Sequence, residues 1–152
     1  MPKIIAVIGG RRESEELLKS AEEVGRLIAE KGAVLLCGGL TGVMEAASKG
    51  AKHVGGITVG ILPSSSKLEA NPYIDVPLAT GLGLARNVII VTAADGVIAV
   101  GGGLGTLSEI AYALQFNKYV VGINTWEIEG VIKANKPEEA VDTLFNLIYP
   151  PL

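Results

Sequence analysis

The chain has few of the residues that build disulfides, zinc sites or basic surfaces. Cys37 is the only cysteine among 152 residues, which excludes an intrachain disulfide and a cysteine-rich zinc site. Lysine and arginine form no block, and the formal net charge is −3, which argues against binding to nucleic acid or to an anionic membrane. We expect neither a metal nor a bound cofactor, and a small molecule as the partner.

Long apolar runs are also missing. No stretch reaches the roughly 18 residues that span a bilayer, and the apolar run after Lys3 is too short for the core of a secretory signal. These absences predict a cytoplasmic protein without a membrane segment. Hydrophobic residues make up 49% of the chain, enough for a buried core, and the length predicts one domain over residues 1–152.

Glycine is abundant instead, and it separates alternating strands and helices. Short apolar runs predict buried strands, and apolar residues with helical spacing predict the helices between them. The predicted strands are 3–10, 33–39, 57–62, 73–79, 96–100 and 119–123. The predicted helices are 13–31, 43–52, 83–94, 105–117 and 137–148. This alternation predicts an α/β, Rossmann-like doubly wound fold, with a mainly parallel sheet and helices on both faces.

Two segments between these elements carry weaker signals. The polar 63–72 loop is long enough to act as a lid. The 124–136 segment, which contains Trp126, fits a wall of the ligand site, part of the core or a dimer contact.

Three predicted strands end in glycine-rich turns. Ligands of parallel sheets bind outside the carboxyl ends of the strands. In any one turn, the glycines could be present only because glycine permits a tight turn. Three such turns at one sheet edge instead indicate that backbone N–H groups approach a bulky ligand. The candidate ligand-binding residues in the first two turns are Gly9, Gly10, Gly38, Gly39 and Gly42.

The third turn, GGGLGTLSE over residues 101–109, is the most informative. It has neither the lysine of a P-loop nor the spacing of the dinucleotide fingerprint. It offers the N–H donors of a helix N-terminus and the Thr106 hydroxyl, which together can bind a phosphate without a lysine. The predicted phosphate-binding residues are Gly102, Gly103, Gly105 and Thr106. Glu109 has two explanations here: a role in the site, or a capping box with Thr106.

These motifs resemble those of the lonely-guy family, formerly described as possible lysine decarboxylases. Residues 101–109 are similar to the family signature proline-glycine-glycine-any-glycine-threonine-any-any-glutamate, with Gly101 in place of the proline. GLGLARNVIIV, residues 81–91, looks like the second signature, in which Asn87 replaces the lysine that follows the arginine. CGGLTGVMEAASKGA, residues 37–51, is similar to the family's second glycine turn. The variants at 87 and 101 look closer to the branch of the molybdenum-cofactor carrier proteins.

The resemblance implies hydrolysis of the N-glycosidic bond of a nucleoside 5′-monophosphate. The third turn would bind the phosphate. Glu109, one helical turn beyond Thr106, would lie near the ribose and orient water or stabilise an oxocarbenium-like sugar. Arg86 would neutralise the phosphate or polarise the leaving base; otherwise it is an ordinary surface arginine. The family also implies a homodimer or a higher homo-oligomer.

Asn87 is a further candidate ligand-binding residue, and it keeps a second function open, since an amide supplies no charge. A carrier needs a phosphate site but no bond cleavage, so the alternative is a non-catalytic binder of a phosphorylated pterin, such as the molybdenum cofactor, or of a nucleotide. Because Arg86, Thr106 and Glu109 occur together, the sequence slightly favours hydrolysis. A pyridoxal-phosphate lysine decarboxylase is excluded, because no lysine lies in the glycine turns.

Overall fold

A seven-stranded, all-parallel sheet forms the centre of the protein in a computed structural model that describes residues 1–150. The order across the sheet is β4-β3-β2-β1-β5-β6-β7. The strands are β1 Ile4–Gly9, β2 Val34–Cys37, β3 Thr58–Leu62, β4 Val76–Ala79, β5 Gly96–Val100, β6 Val120–Ile123 and β7 Val131–Ala134. The helices are α1 Glu15–Glu30, α2 Val43–His53, α3 Arg86–Ala93, α4 Leu104–Gln115 and α5 Pro137–Ile148.

The helices cover both faces of this sheet, so the predicted doubly wound α/β fold is confirmed. Ile5 and Val7 of β1 pack in one core cluster with α1, α2 and α5, whereas Ala6 and Ile8 pack in a second cluster with α3 and α4. This alternation follows from the two-residue period of a strand, which sends successive side chains to opposite faces. Within residues 1–150, none of the helices has the length and apolar character required to cross a membrane.

The predicted strand over 73–79 is shorter, beginning at Val76, and the structure differs more clearly from the prediction in two other places. The unassigned 124–136 segment contains β7, a short, partly exposed strand that pairs parallel to β6 at the sheet edge. The predicted helix over 83–94 becomes a 3-10 turn, Gly83–Ala85, followed by α3 from Arg86. Gly83 has a φ of +60°, which an α-helix does not admit, so the regular helix begins later than its periodicity suggests.

Helices α1 and α2 pack against each other through glycines. A Cβ at Gly25 in α1 would overlap the carbonyl oxygen of Ala47 in α2, and a Cβ at Gly50 in α2 would overlap the carbonyl oxygen of Glu22. The missing side chains therefore let the two backbones approach closely. This contact holds α2 behind the second glycine turn.

We predict that Gly25→Ala destabilises the protein by about 2 kcal/mol, because the added methyl group must push α2 away. Gly105→Ala is the matched control: it also lies in a helix, but its Cβ would meet nothing within 4 Å. That change should leave stability unchanged or raise it by up to about 1 kcal/mol through helix propensity. Urea unfolding of both variants measures the difference, and equal stabilities would contradict the packing argument.

Candidate functional site

The three glycine turns meet at one edge of the sheet. β1 lies between β2 and β5 and pairs with both, so the turns after these neighbouring strands are adjacent. The chain continues to opposite faces from these strands, and the helices leave a cleft at this point. The cleft holds a cavity of about 360 Å³, which we call the inner cavity. The predicted site residues that line it are Gly9, Gly10, Gly38, Arg86, Asn87, Gly103, Gly105, Thr106 and Glu109.

The remaining predicted residues lie elsewhere. Gly102 lines an adjoining outer cavity of about 640 Å³. Gly39 and Gly42 line neither cavity; both have a positive φ, +77° and +73°, and serve the turn itself. A Cβ at Gly42 would overlap the carbonyl oxygen of Gly10. This oxygen accepts a hydrogen bond from the Val43 N–H at 3.0 Å. Glycine at 42 is thus explained by contact between the first two turns.

The N-terminus of α4 faces both cavities through its backbone. Gly103 is the N-cap, and no side chain forms a capping hydrogen bond there. The first hydrogen bond of the helix runs from the Leu107 N–H to the Gly103 carbonyl oxygen at 3.0 Å. The preceding helical N–H groups, from Leu104 to Thr106, have no partner within the helix. They point toward the place where an anion binds most favourably.

Glu109 does not form the capping box that the sequence allowed. Thr106 is already the third residue of α4 and Glu109 lies a full turn beyond it, well inside the helix. The Glu109 side chain is 8% exposed and lines the inner cavity. Within residues 1–150 it has no hydrogen bond, and no ion pair within 4.0 Å joins it to Arg86. Burial raises the pKa of Glu109 to about 7, against the opposing attraction of the Arg86 charge.

Arg86 is not a surface residue, since it is 7% exposed. Its Nε donates to the Ile61 carbonyl oxygen at 2.8 Å, its Nη2 to the Gly38 carbonyl oxygen at 3.5 Å, and its Nη1 to Asn87 Oδ1. These three acceptors fix the guanidinium under the second glycine turn. Much of its hydrogen-bonding capacity is therefore used by the protein itself.

Asn87 links Arg86 to the third glycine turn. Its Oδ1 accepts from Arg86, and its Nδ2 donates to Ser108 Oγ at 3.3 Å. The Ser108 hydroxyl in turn donates to the Gly105 carbonyl oxygen at 2.7 Å. An amide can accept and donate at once, which a lysine ammonium cannot. Asn87 thus couples the buried arginine to the first turn of α4.

Three residues that the sequence did not assign hold the third glycine turn. Glu13 Oε1 accepts the Gly102 N–H at 2.8 Å, so this amide is not free for a phosphate. Thr125 Oγ1 donates to the Gly101 carbonyl oxygen at 2.6 Å, and Trp126 Nε1 donates to the Gly103 carbonyl oxygen at 3.0 Å. The sequence could have indicated Thr125 and Trp126 through their position just after β6, which ends at the same edge of the sheet. No local pattern marks Glu13.

Cys37 lies next to the site but lines neither the inner nor the outer cavity. It is fully buried at the end of β2, and burial raises the pKa of its thiol. Its sulfur accepts the Gly39 N–H at 3.3 Å. Cys37 is therefore a small core residue that also steadies the second turn.

The raised pKa of Glu109 predicts a pH-dependent stability. The folded protein binds this proton more tightly than the unfolded chain, so the stability that Glu109 contributes is present at low pH. It is lost as the pH rises from about 4.5 to about 7. Glu109→Gln removes the titration, so the variant should gain about 3 kcal/mol over the wild type across this interval. Urea unfolding at pH 4.5 and pH 8 measures the gain, and a pH-independent difference would contradict the burial argument.

Comparison with known proteins places this architecture in a family. The model of the SLOG cluster4 family matches residues 2–146. A molybdenum cofactor binding protein from Rippkaea orientalis is 41% identical, with a TM-score of 0.92 over 97% of this chain and 98% of that one. The molybdenum cofactor carrier protein of Chlamydomonas reinhardtii is 36% identical, with a TM-score of 0.88 over 97% and 99% of the two chains.

A second kind of relative is an enzyme. The cytokinin riboside 5′-monophosphate phosphoribohydrolase of Mycobacterium tuberculosis is 32% identical over 120 residues, which cover 73% of this chain and 64% of that protein. Together, these matches confirm the resemblance to the lonely-guy family and to its molybdenum-cofactor carrier branch. The chain belongs to the SLOG cluster4 family.

Proposed function

We propose that the protein binds and carries a phosphorylated pterin, such as the molybdenum cofactor, without cleaving it. The phosphate binds the free N–H groups at the start of α4 and the Thr106 hydroxyl. The ring system occupies the inner cavity between Gly38 and Glu109. The likeness to two molybdenum-cofactor proteins extends over nearly the whole chain, which supports this ligand class.

The observation that carries the proposal is the way in which Arg86 is held. Its guanidinium is bonded to two backbone carbonyl oxygens and to Asn87, and the Asn87 amide is bonded in turn to Ser108. A base that departs with the bonding pair gains negative charge, which is stabilised by N–H donors aimed at that base. A guanidinium already bonded on its Nε, Nη1 and Nη2 instead supplies a fixed positive field. Such a field suits binding of an anion.

The second candidate is N-glycosidic hydrolysis, and Glu109 is the observation that favours it. An unpartnered carboxyl in the cavity with a pKa of about 7 is suited to accept a proton from water near neutral pH. The water oxygen would bond to the anomeric carbon as the glycosidic bond breaks, and the base would leave with the bonding pair and take up a proton. The phosphoribohydrolase relative supports this alternative.

Incubation with a panel of nucleoside 5′-monophosphates separates the two functions. We expect the wild type to bind the molybdenum cofactor and to release no free base from any monophosphate, as measured by chromatography. Glu109→Gln and the control Glu138→Gln, an exposed residue of α5, should behave alike in the release assay. Base release by the wild type and Glu138→Gln, reduced about 10²–10⁴-fold in Glu109→Gln, would instead establish the hydrolase.

We also propose a homodimer formed through the outer surface of α3 and α4. These neighbouring helices expose several large apolar side chains, which a monomer would leave in water. They are Ile89, Leu104, Tyr112 and, at the C-cap of α4, Phe116. The rings of Tyr112 and Phe116 stack with centroids 6.1 Å apart and extend this surface.

Phe116→Asp should therefore convert a dimer into a monomer, because it places a charge within the apolar contact. Light scattering at micromolar concentration should give about twice the 15.7 kDa chain mass for the wild type and the single-chain mass for the variant. Leu68→Asp, at an 88% exposed apolar residue of the 3-10 turn Lys67–Glu69, should remain dimeric. A monomeric wild type would overturn the assembly.

A further inference from the structure

The outer cavity adjoins the proposed phosphate site. It shares Gly10, Arg11 and Gly103 with the inner cavity, so the two adjoin each other at these residues. A Cβ at Gly103 would meet nothing within 4 Å, which leaves the junction open. Arg12 and Thr41 line the outer cavity but not the inner one. A ligand held at the start of α4 can therefore extend from one cavity into the other.

The charges along the outer cavity have few protein partners. Among residues 1–150, no ion pair within 4.0 Å and no hydrogen bond holds the guanidinium of Arg11 or of Arg12. The acid next in sequence, Glu13, also lines this cavity, but one of its oxygens accepts the Gly102 N–H at 2.8 Å. The two arginines thus exceed the single carboxylate in charge, and they remain available to a ligand.

Arg11 also acts on the inner cavity. Burial lowers the pKa of Arg86, the charge of Glu109 opposes that effect, and the nearby Arg11 lowers this pKa further. Arg11 and the buried Arg86 therefore repel each other across the site. An anion placed between the two cavities would relieve the repulsion, and guanidinium groups bind phosphoryl oxygens with two parallel hydrogen bonds.

We propose that the outer cavity is a subsite for a second phosphoryl group, so that the ligand is an organic diphosphate. Nucleoside diphosphates belong to this class, and so do pterins joined to a nucleotide through a diphosphate. The inference rests on the proposed binding of a first phosphate at the start of α4. Arg11 contacts both phosphoryl groups, whereas Arg12 and the Thr41 hydroxyl contact only the second.

Calorimetry with inorganic phosphate and inorganic pyrophosphate tests this subsite without reference to the base or ring. The wild type should bind pyrophosphate at least about tenfold more tightly than phosphate, because a charged hydrogen-bonding partner is gained. Arg12→Ala should weaken pyrophosphate binding by about tenfold and leave phosphate binding unchanged. Arg11→Ala should weaken both, and the control Lys136→Ala, an exposed cation at the start of α5, should weaken neither.

The outcomes separate the subsite from the proposed function. If the wild type binds phosphate and pyrophosphate equally, or if Arg12→Ala weakens both by the same factor, the subsite is overturned and the phosphate site stands. If the wild type binds neither anion, the proposed function fails as well. Arg12→Lys keeps the charge but loses the paired hydrogen bonds, so intermediate pyrophosphate affinity supports the contact. ADP and AMP should repeat the pattern of pyrophosphate and phosphate, and equal loss for both in Arg12→Ala would again overturn the subsite.

Discussion

Parallel pairing of β1 with both β2 and β5 is the constraint on which the rest of the structure depends. The ladder runs from Ile5 opposite Gly96 to Gly9 opposite Val100, so β1 and β5 end together. Because β2 runs in the same direction on the other side of β1, its glycine turn opens at the same edge. Each turn must then leave room for its neighbours. A side chain at Gly9 would meet the Val100 carbonyl oxygen, and one at Gly42 the Gly10 carbonyl oxygen. These glycines are therefore required by the packing of the turns.

This crowded edge determines how each polar group is used. Glu13 and Glu109 are both carboxylates near the third turn, yet their situations are opposite. Glu13 accepts a backbone N–H and steadies the turn, whereas Glu109 is buried in the cavity without a partner, and burial raises its pKa to about 7. Two side chains outside the turn, Thr125 and Trp126, complete its support. This arrangement leaves the backbone of the third turn held by side chains and places the Glu109 carboxyl in the lining of the inner cavity.

Much of the fold could be predicted because its signals are local. The apolar runs of β1 and β5 and the spacing of Leu17, Ala21, Val24 and Ile28 in α1 follow from periods of two and 3.6 residues. β7 was missed because a four-residue strand at a sheet edge, with only Ala134 buried, carries no clear alternation. The capping box was wrong for a different reason. Thr106 and Glu109 have the right spacing, but α4 begins at Leu104, where Gly103 starts the helix through its backbone alone. A spacing motif does not say at which residue the helix begins.

By itself, the sequence determined six of the seven strands, the five helices, the turns that carry glycine and most of the residues gathered around the cleft. These follow from neighbours along the chain and from the rule that parallel strands end at one edge. Only the tertiary structure decided which polar groups are satisfied within the protein. Arg86 bonds a carbonyl 25 residues away, and Glu13 bonds an amide 89 residues away. Contacts of that separation depend on how closely folded backbones approach each other, and no local periodicity records that distance.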